Sequence, residues 1–192
     1  MTTVIETAPA TTPVSLTEVK LHLRVDGTDE DSLITALIGA AVAHLDGLGV
    51  LGRAMITQSW AEWVGSSPGI VTLPIGPFQS LTSVEYYDDA GALQTATLSD
   101  YEVRLEGDRV NVRPKTGKAW PDAATRGDAI KIVYVAGYGD AGTDVPQSIR
   151  QAILLMVGHW YENRTAVSEA NLKEVPLAVD ALIGVERVGW YG

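Results

Sequence analysis

The chain has no cysteine, so disulfides, thiolate metal sites and a cysteine nucleophile are all excluded. That suits a reducing cytoplasm. Basic residues are scarce: 14 Lys and Arg face 24 Asp and Glu, for a net charge of −10. The excess of acid is spread out, with net charges of −4, −3 and −3 over residues 1–54, 55–138 and 139–192. Gripping nucleic acid takes a basic footprint, and none is present. No apolar run reaches the roughly twenty residues that a membrane span needs. The opening MTTVIETAPATTPVS has neither a basic n-region nor an apolar core, so no signal peptide is expected. Its Thr, Ala and Pro content predicts a flexible arm over residues 1–14.

What is present is ordinary for a folded protein: 46% hydrophobic and 20% charged residues in 192, enough for one domain or a domain with an insert. Ser15-Leu-Thr-Glu18 is a capping-box pattern opening a helix. Leu16, Val19 and Leu23 are placed inward, with Leu21 a further candidate, up to a stop near Asp26-Gly27. A second start at Thr28–Asp31 leads into Leu33, Ile34, Leu37, Ile38, Ala41, Val42, Leu45 and Leu48, the clearest helical spacing in the chain. From Met55 the period changes. Strand-like runs fall at Ile56–Trp63, Gly69–Leu73, Ser80–Tyr87, Leu93–Leu98, Tyr101–Leu105, Arg109–Arg113 and Ala129–Val135. Turn signals at Asp88–Gly91, Glu106–Asp108 and Arg126–Asp128 punctuate them, which argues for antiparallel sheet rather than βαβ units.

The stretch Pro146–Arg164 reads as the central helix, apolar nearly all round and therefore covered on more than one side. Asp144 is its N-cap candidate and Pro146 suits its first turn. A polar loop over Thr165–Lys173 and a short helix around Val175–Ile183 follow. The expected architecture is α+β: a small bundle of about four helices with an inserted antiparallel β-rich block. The bundle takes residues 15–54 and 139–183, the insert 55–138 and a tail 184–192.

Motifs for catalysis are few. Gly137-Tyr-Gly-Asp-Ala-Gly142 matches G-x-G-x-x-G, but no second parallel strand follows to complete a dinucleotide site, so a glycine-rich turn is expected. His22, His44 and His159 fall in no metal-ligand pattern. His159 and Glu162 share a helix face as half a metal site, without a second half. There is no G-x-S-x-G elbow. The carboxylate pairs Asp88-Asp89 and Asp29–Asp31 sit in a turn and a helix start, where acids belong structurally.

Five tryptophans remain. Core packing accounts for Trp60 and Trp160. Trp190 beside Tyr191 at the terminus is less easily explained, because chain ends fray and aromatics are favoured interface anchors. A docking role for Val185–Tyr191 stands beside simple packing onto the chain's own bundle.

The stretch Pro13-Val-Ser-Leu-Thr-Glu-Val-Lys-Leu-His-Leu-Arg-Val-Asp26 resembles the opening of the head–tail connector (adaptor) proteins of long-tailed phages and phage-derived gene transfer agents. Asp31-Ser-Leu-Ile, Gly52–Trp60, Val145–Leu155 with His159–Arg164, and Pro176–Leu182 fit in the same order. The resemblance spans nearly the whole chain. It implies a non-enzymatic virion neck protein, made in the host cytoplasm, with no cofactor, no metal and no membrane partner. It further implies a homo-oligomeric ring, dodecameric by analogy, beneath the portal protein, and a platform for the next neck or tail component. DNA would be cargo passing through an acidic lumen. The segment expected to reach the portal carries Val185, Arg187, Val188, Trp190 and Tyr191. Two other classes are open: a tail-side completion or stopper protein, and a carbohydrate-binding module with Trp60, Trp63 and Trp120 as a stacking platform.

Overall fold

The structure, a computed structural model, describes residues 1–107, 109–163, 177–184 and 186. The polar loop and the docking residues Val185, Arg187, Val188, Trp190 and Tyr191 lie outside this set, as does Asp108 of one expected turn. The fold is α+β, and the chain divides into two compact units: Met1–Ala10 with Thr57–Gly137, and Thr11–Ile56 with Tyr138–Gly192.

The second unit is helical. Ser15 caps α1 (Leu16–Leu23), its hydroxyl accepting from the Glu18 N–H at 3.1 Å. Val19 is the residue this short helix buries completely. Leu21 is 81% exposed, contrary to its inward placement, since Val19 and Leu23 already span the covered face. The helix closes on Arg24, whose φ of 58° is a left-handed conformation that a side chain disfavours. In α2 (Asp31–Leu45), Ile34, Ile38, Ala41 and Leu45 are buried at i, i+4, i+7 and i+11. The helix stops before Leu48, which is 63% exposed rather than packed.

The central helix is α3 (Gln147–Glu162), with Ile149, Ala152, Ile153, Leu154, Met156 and Val157 buried. Its N-cap is Pro146, not Asp144. The Asp144 carboxylate turns back instead and accepts from the Ala141 N–H at 2.9 Å. The last helix, α4 (Leu177–Gly184), contributes Val179 and Ile183 to the same core as α1, α2 and α3. At α3 the Arg150 guanidinium donates to Glu18 at 2.7 Å and to the Pro13 carbonyl at 3.3 Å, tying α1 and the segment before it to the central helix.

The other unit is made of two antiparallel sheets. A five-stranded sheet has the order β1 (Thr2–Thr7), β2 (Gln58–Val64), β8 (Ile130–Ala136), β4 (Phe78–Tyr87) and β5 (Leu93–Thr95). A three-stranded sheet orders β3 (Val71–Leu73), β7 (Arg109–Pro114) and β6 (Tyr101–Glu106). Trp60, Ile130, Ile132, Tyr134 and Val84 project from one face of the large sheet and are all buried. Val71, Leu73, Val110 and Val112 of the small sheet are buried too, and the Ile75 N–H after β3 donates to the Tyr134 hydroxyl at 3.3 Å.

The N-terminal arm requires correction. Residues Thr2–Thr7 form the edge strand β1, pairing with β2 from Thr2↔Trp63 to Thr7↔Ser59. Val14, at the end of the expected arm, is 1% exposed in the helical core. Composition reports average solubility, and here a β-branched run within it finds a sheet edge.

Candidate assembly surfaces

Each motif singled out for chemistry has a structural explanation. The glycine-rich turn is dictated by close approach: a Cβ at Gly139 would overlap the Asp144 carboxylate, and one at Gly142 would lie 2.6 Å from the Pro13 carbonyl oxygen. Among the described residues no strand follows α3, so no dinucleotide fold is assembled. Nor do three His, Asp or Glu side chains converge as a metal site among them. Asp88 closes the β4–β5 hairpin, its carboxylate accepting from Gln94 and from the N–H groups of Ala90 and Ala92. Those bonds, Gln94 first, hold its pKa below the usual range. Asp31 pairs with Lys20 at 2.6 Å. His159 contacts Asn163 on its own helix.

The tryptophans do not form a stacking platform. Trp60 is 1% exposed, inside the large sheet's core. Trp63 points from the opposite face and stacks on Tyr87 with centroids 6.0 Å apart. Trp120 packs on Tyr101 of the small sheet, 5.1 Å away, and donates to the Gly69 carbonyl at 3.0 Å. Burial and the pleat separate the three rings that the sequence lined up.

The face carrying Trp63 is a band of paired charges and rings. The Lys131 ammonium lies 2.8 Å from Glu6 and 3.7 Å from Glu85, and 5.7 Å from the Trp63 ring centre. Partial burial works against that ammonium, but Glu6 and Glu85 outweigh it and hold its pKa up. Arg126 sits over Tyr87 at 4.2 Å and binds Asp128 through two bonds of 2.6 and 2.7 Å. The opposite, buried face holds Glu62, 1% exposed, which accepts from the Thr3 hydroxyl at 2.5 Å. Burial pushes the Glu62 carboxyl up, and the Thr3 bond only partly offsets it. Tyr134 is likewise pushed up by burial.

The helical unit carries the root of the tail. Glu186, just past α4, is held by three side chains. Arg53 Nε donates to its carbonyl at 2.6 Å, Ser148 of α3 to its Oε1 at 2.9 Å and the Tyr138 hydroxyl to its Oε2 at 3.4 Å. Nothing in the local sequence signals this anchor, because its donors lie up to 133 positions away. The edge strand β1 did leave a signal: Thr-Thr-Val-Ile-Glu-Thr is rich in β-branched residues.

The arrangement defines a class: a two-unit α+β protein whose distinctive features are surfaces and a Glu186 anchored just past α4. A family model described as "head completion protein" matches residues 13–172. The chain belongs to that family, and the resemblance to head–tail connector-type proteins drawn from its sequence stands.

Solved structures share the fold. A chain of the neck of an empty gene transfer agent particle, computed with C6 symmetry, superposes with a TM-score of 0.79 at 24% identity. The alignment covers 97% of this chain and 95% of that one. A chain of the native gene transfer agent virion gives 0.73 at 23% identity, with the same coverage of 97% and 95%. One from the native neck computed with C12 symmetry gives 0.71 at 23%, again covering 97% and 95%. No curated protein matches the chain.

Proposed function

We propose that this protein is a non-enzymatic structural component of a virion neck, at the head–tail junction. There it forms a ring below the portal, extends the channel through which DNA passes and offers a platform to the next neck or tail component. The observation that carries this reading is the family match over residues 13–172, joined to a fold that covers 97% of this chain and 95% of a gene transfer agent neck chain.

Charge supports it. A wall along which DNA slides should not hold phosphates, and the chain's net charge is −10. Most described cations are already committed: Lys20, Arg113, Lys118, Arg126, Lys131 and Arg150 each pair with a carboxylate. The tail over residues 184–192 is the portal-docking element in this reading, with Val185, Arg187, Val188, Trp190 and Tyr191 as its contacts. The bundle of residues 15–54 and 139–183 presents that tail from the root at Glu186.

Native mass spectrometry of the chain mixed with the portal ring of the same particle tests this. A portal carrying a full ring of added copies is the expected result and gives the copy number. An intact portal with nothing bound overturns the portal-side assignment in favour of a tail-side completion or stopper protein.

A further inference from the structure

The two sheets treat their edges differently. The small sheet's edges are blunted. Strand β6 carries Glu102, Arg104 and Glu106, with Arg104 and Arg113 both donating to Glu102. Strand β3 runs three residues and meets Pro74. Charges and proline are the usual protection against edge pairing.

The large sheet's edges have no proline and no charge left free, though β5, like β3, is only three residues long. In β1, Thr2, Thr3, Val4 and Ile5 are uncharged, Val4 and Ile5 are 38% and 52% exposed, and the one charge, Glu6, is turned to Lys131. In β5, Leu93, Gln94 and Thr95 are all exposed and uncharged, Leu93 by 48%. Among the described residues neither strand has a main-chain bond on its outer side. Among the described residues both ends of one sheet thus leave N–H and C=O groups unpaired, and each adds exposed aliphatic surface.

We propose that these two edges join neighbouring copies of this chain, β1 of one against β5 of the next. The inference rests on the ring reading and names its contact. A junction between two different edges is heterologous, and repeating it closes a ring where the rotation between copies closes, whereas β1 against β1 stops at a two-fold dimer. Strand direction follows from the topology. Every neighbouring pair in the large sheet is antiparallel, so β1 and β5, with three strands between them, run the same way. Sheet twist of about 20–25° per neighbouring pair turns β1 away from β5, and where the rotation between ring neighbours takes up that turn the two edges meet in parallel. Parallel pairing over so few residues is weak, which fits a ring held together by closure.

The side chains that meet can be identified. Val4 lies opposite Ala61, Ala61 opposite Val133, Lys131 opposite Glu85 and Glu85 opposite Thr95. Val4, Thr95 and Leu93 therefore share the face that carries Trp63. Because the chain has no cysteine, Val4→Cys paired with Thr95→Cys or with Leu93→Cys introduces the only two thiols. Rings of each double variant are assembled on the portal ring, oxidised and separated under denaturing conditions. A ladder running past the dimer in at least one of them, absent from every single variant, is the expected result. A complete ring with no cross-link in either double variant overturns the edge assignment and leaves the ring standing. Cross-linked dimers from Val4→Cys alone overturn it in favour of two-fold pairing. Ile5→Lys should melt as the parent does and fail to form the ring; an intact Ile5→Lys ring also overturns the proposal. A parent chain that forms no ring overturns the assembly reading, and this one with it.

Discussion

Arg53 and Glu186 stand 133 positions apart, and the Arg53 guanidinium donates through Nε to the Glu186 carbonyl at 2.6 Å. The bond closes the helical unit where the chain leaves α4 for its last residues. Ser148 and Tyr138 hold the side chain of the same residue, so the tail starts from a fixed point.

Removing that clamp should loosen the tail without unfolding the protein. A hydrogen bond involving a charged group contributes about 1.5–3 kcal/mol, and Arg53→Ala is expected to cost local stability in that range. Limited proteolysis should cut the region after Ile183 faster in the variant. Portal occupancy should fall at a fixed concentration, with the melting transition shifted by only a few degrees. Unchanged proteolysis would show that the tail root is held elsewhere.

Deleting residues 187–192, which spares the Glu186 clamp, should abolish portal attachment while far-ultraviolet circular dichroism and melting stay as in the parent. Native mass spectrometry with the portal reads the first and a thermal scan the second. A truncated chain that still decorates portal rings removes Trp190 and Tyr191 from the interface.

Glu62 gives a pH dependence of definite sign. Its carboxyl is buried and its pKa is raised above 4.5, so the folded state holds a proton more tightly than the unfolded chain does. This group therefore costs stability above its folded pKa, and the cost disappears as pH falls toward 4.5. Asp88, Glu102 and Asp128 have lowered values and act in the opposite sense only below about pH 4.5, near the ordinary carboxylate range. As pH falls from 7 toward 4.5 the parent should gain midpoint in urea from this group, and Glu62→Gln should lose that gain. Identical slopes in the two proteins would show that Glu62 titrates normally.

Thr3→Val tests the same site from β1. It takes the hydroxyl donor from a buried carboxylate, a loss of about 1–3 kcal/mol, and should raise the apparent pKa of Glu62 further. Chemical denaturation at pH 7 measures the first effect. A change below a few tenths of a kcal/mol would mean the 2.5 Å contact contributes little to stability.

In the helical core, Ile153→Ala should cost about 2–5 kcal/mol by leaving a cavity, since Ile153 is 0% exposed. Leu21→Ser, at a position 81% exposed, should change stability by no more than about 0.5 kcal/mol. Equal effects would mean that the α1 stripe is covered in solution.

Local pattern was enough for much of this protein. Apolar residues at helical spacing marked Leu16–Leu23, Asp31–Leu45 and Gln147–Glu162, and alternation marked seven of the eight strands among the described residues. Those features depend on residues within a turn or a hairpin of one another, and the chain writes them in its own order. The ordered stretches at Pro13–Asp26, Gly52–Trp60 and Val145–Leu155 also carried the family resemblance, which needs no coordinates.

Tertiary structure decided the rest, because periodicity says that a face exists without saying what covers it. Trp60 and Trp63 look alike in sequence, yet the pleat sends one into the core and the other onto the Lys131 face. Leu21 and Leu48 fit the helical spacing but are left exposed among the described residues. Thr2–Thr7 became a strand because an edge was free at β2, more than fifty positions on. Glu62 lost its water only once β1 lay beside it, and Glu186 became an anchor only where Arg53, Tyr138 and Ser148 converge. Each outcome turns on partners that are distant in sequence, and the chain records such partners only by folding.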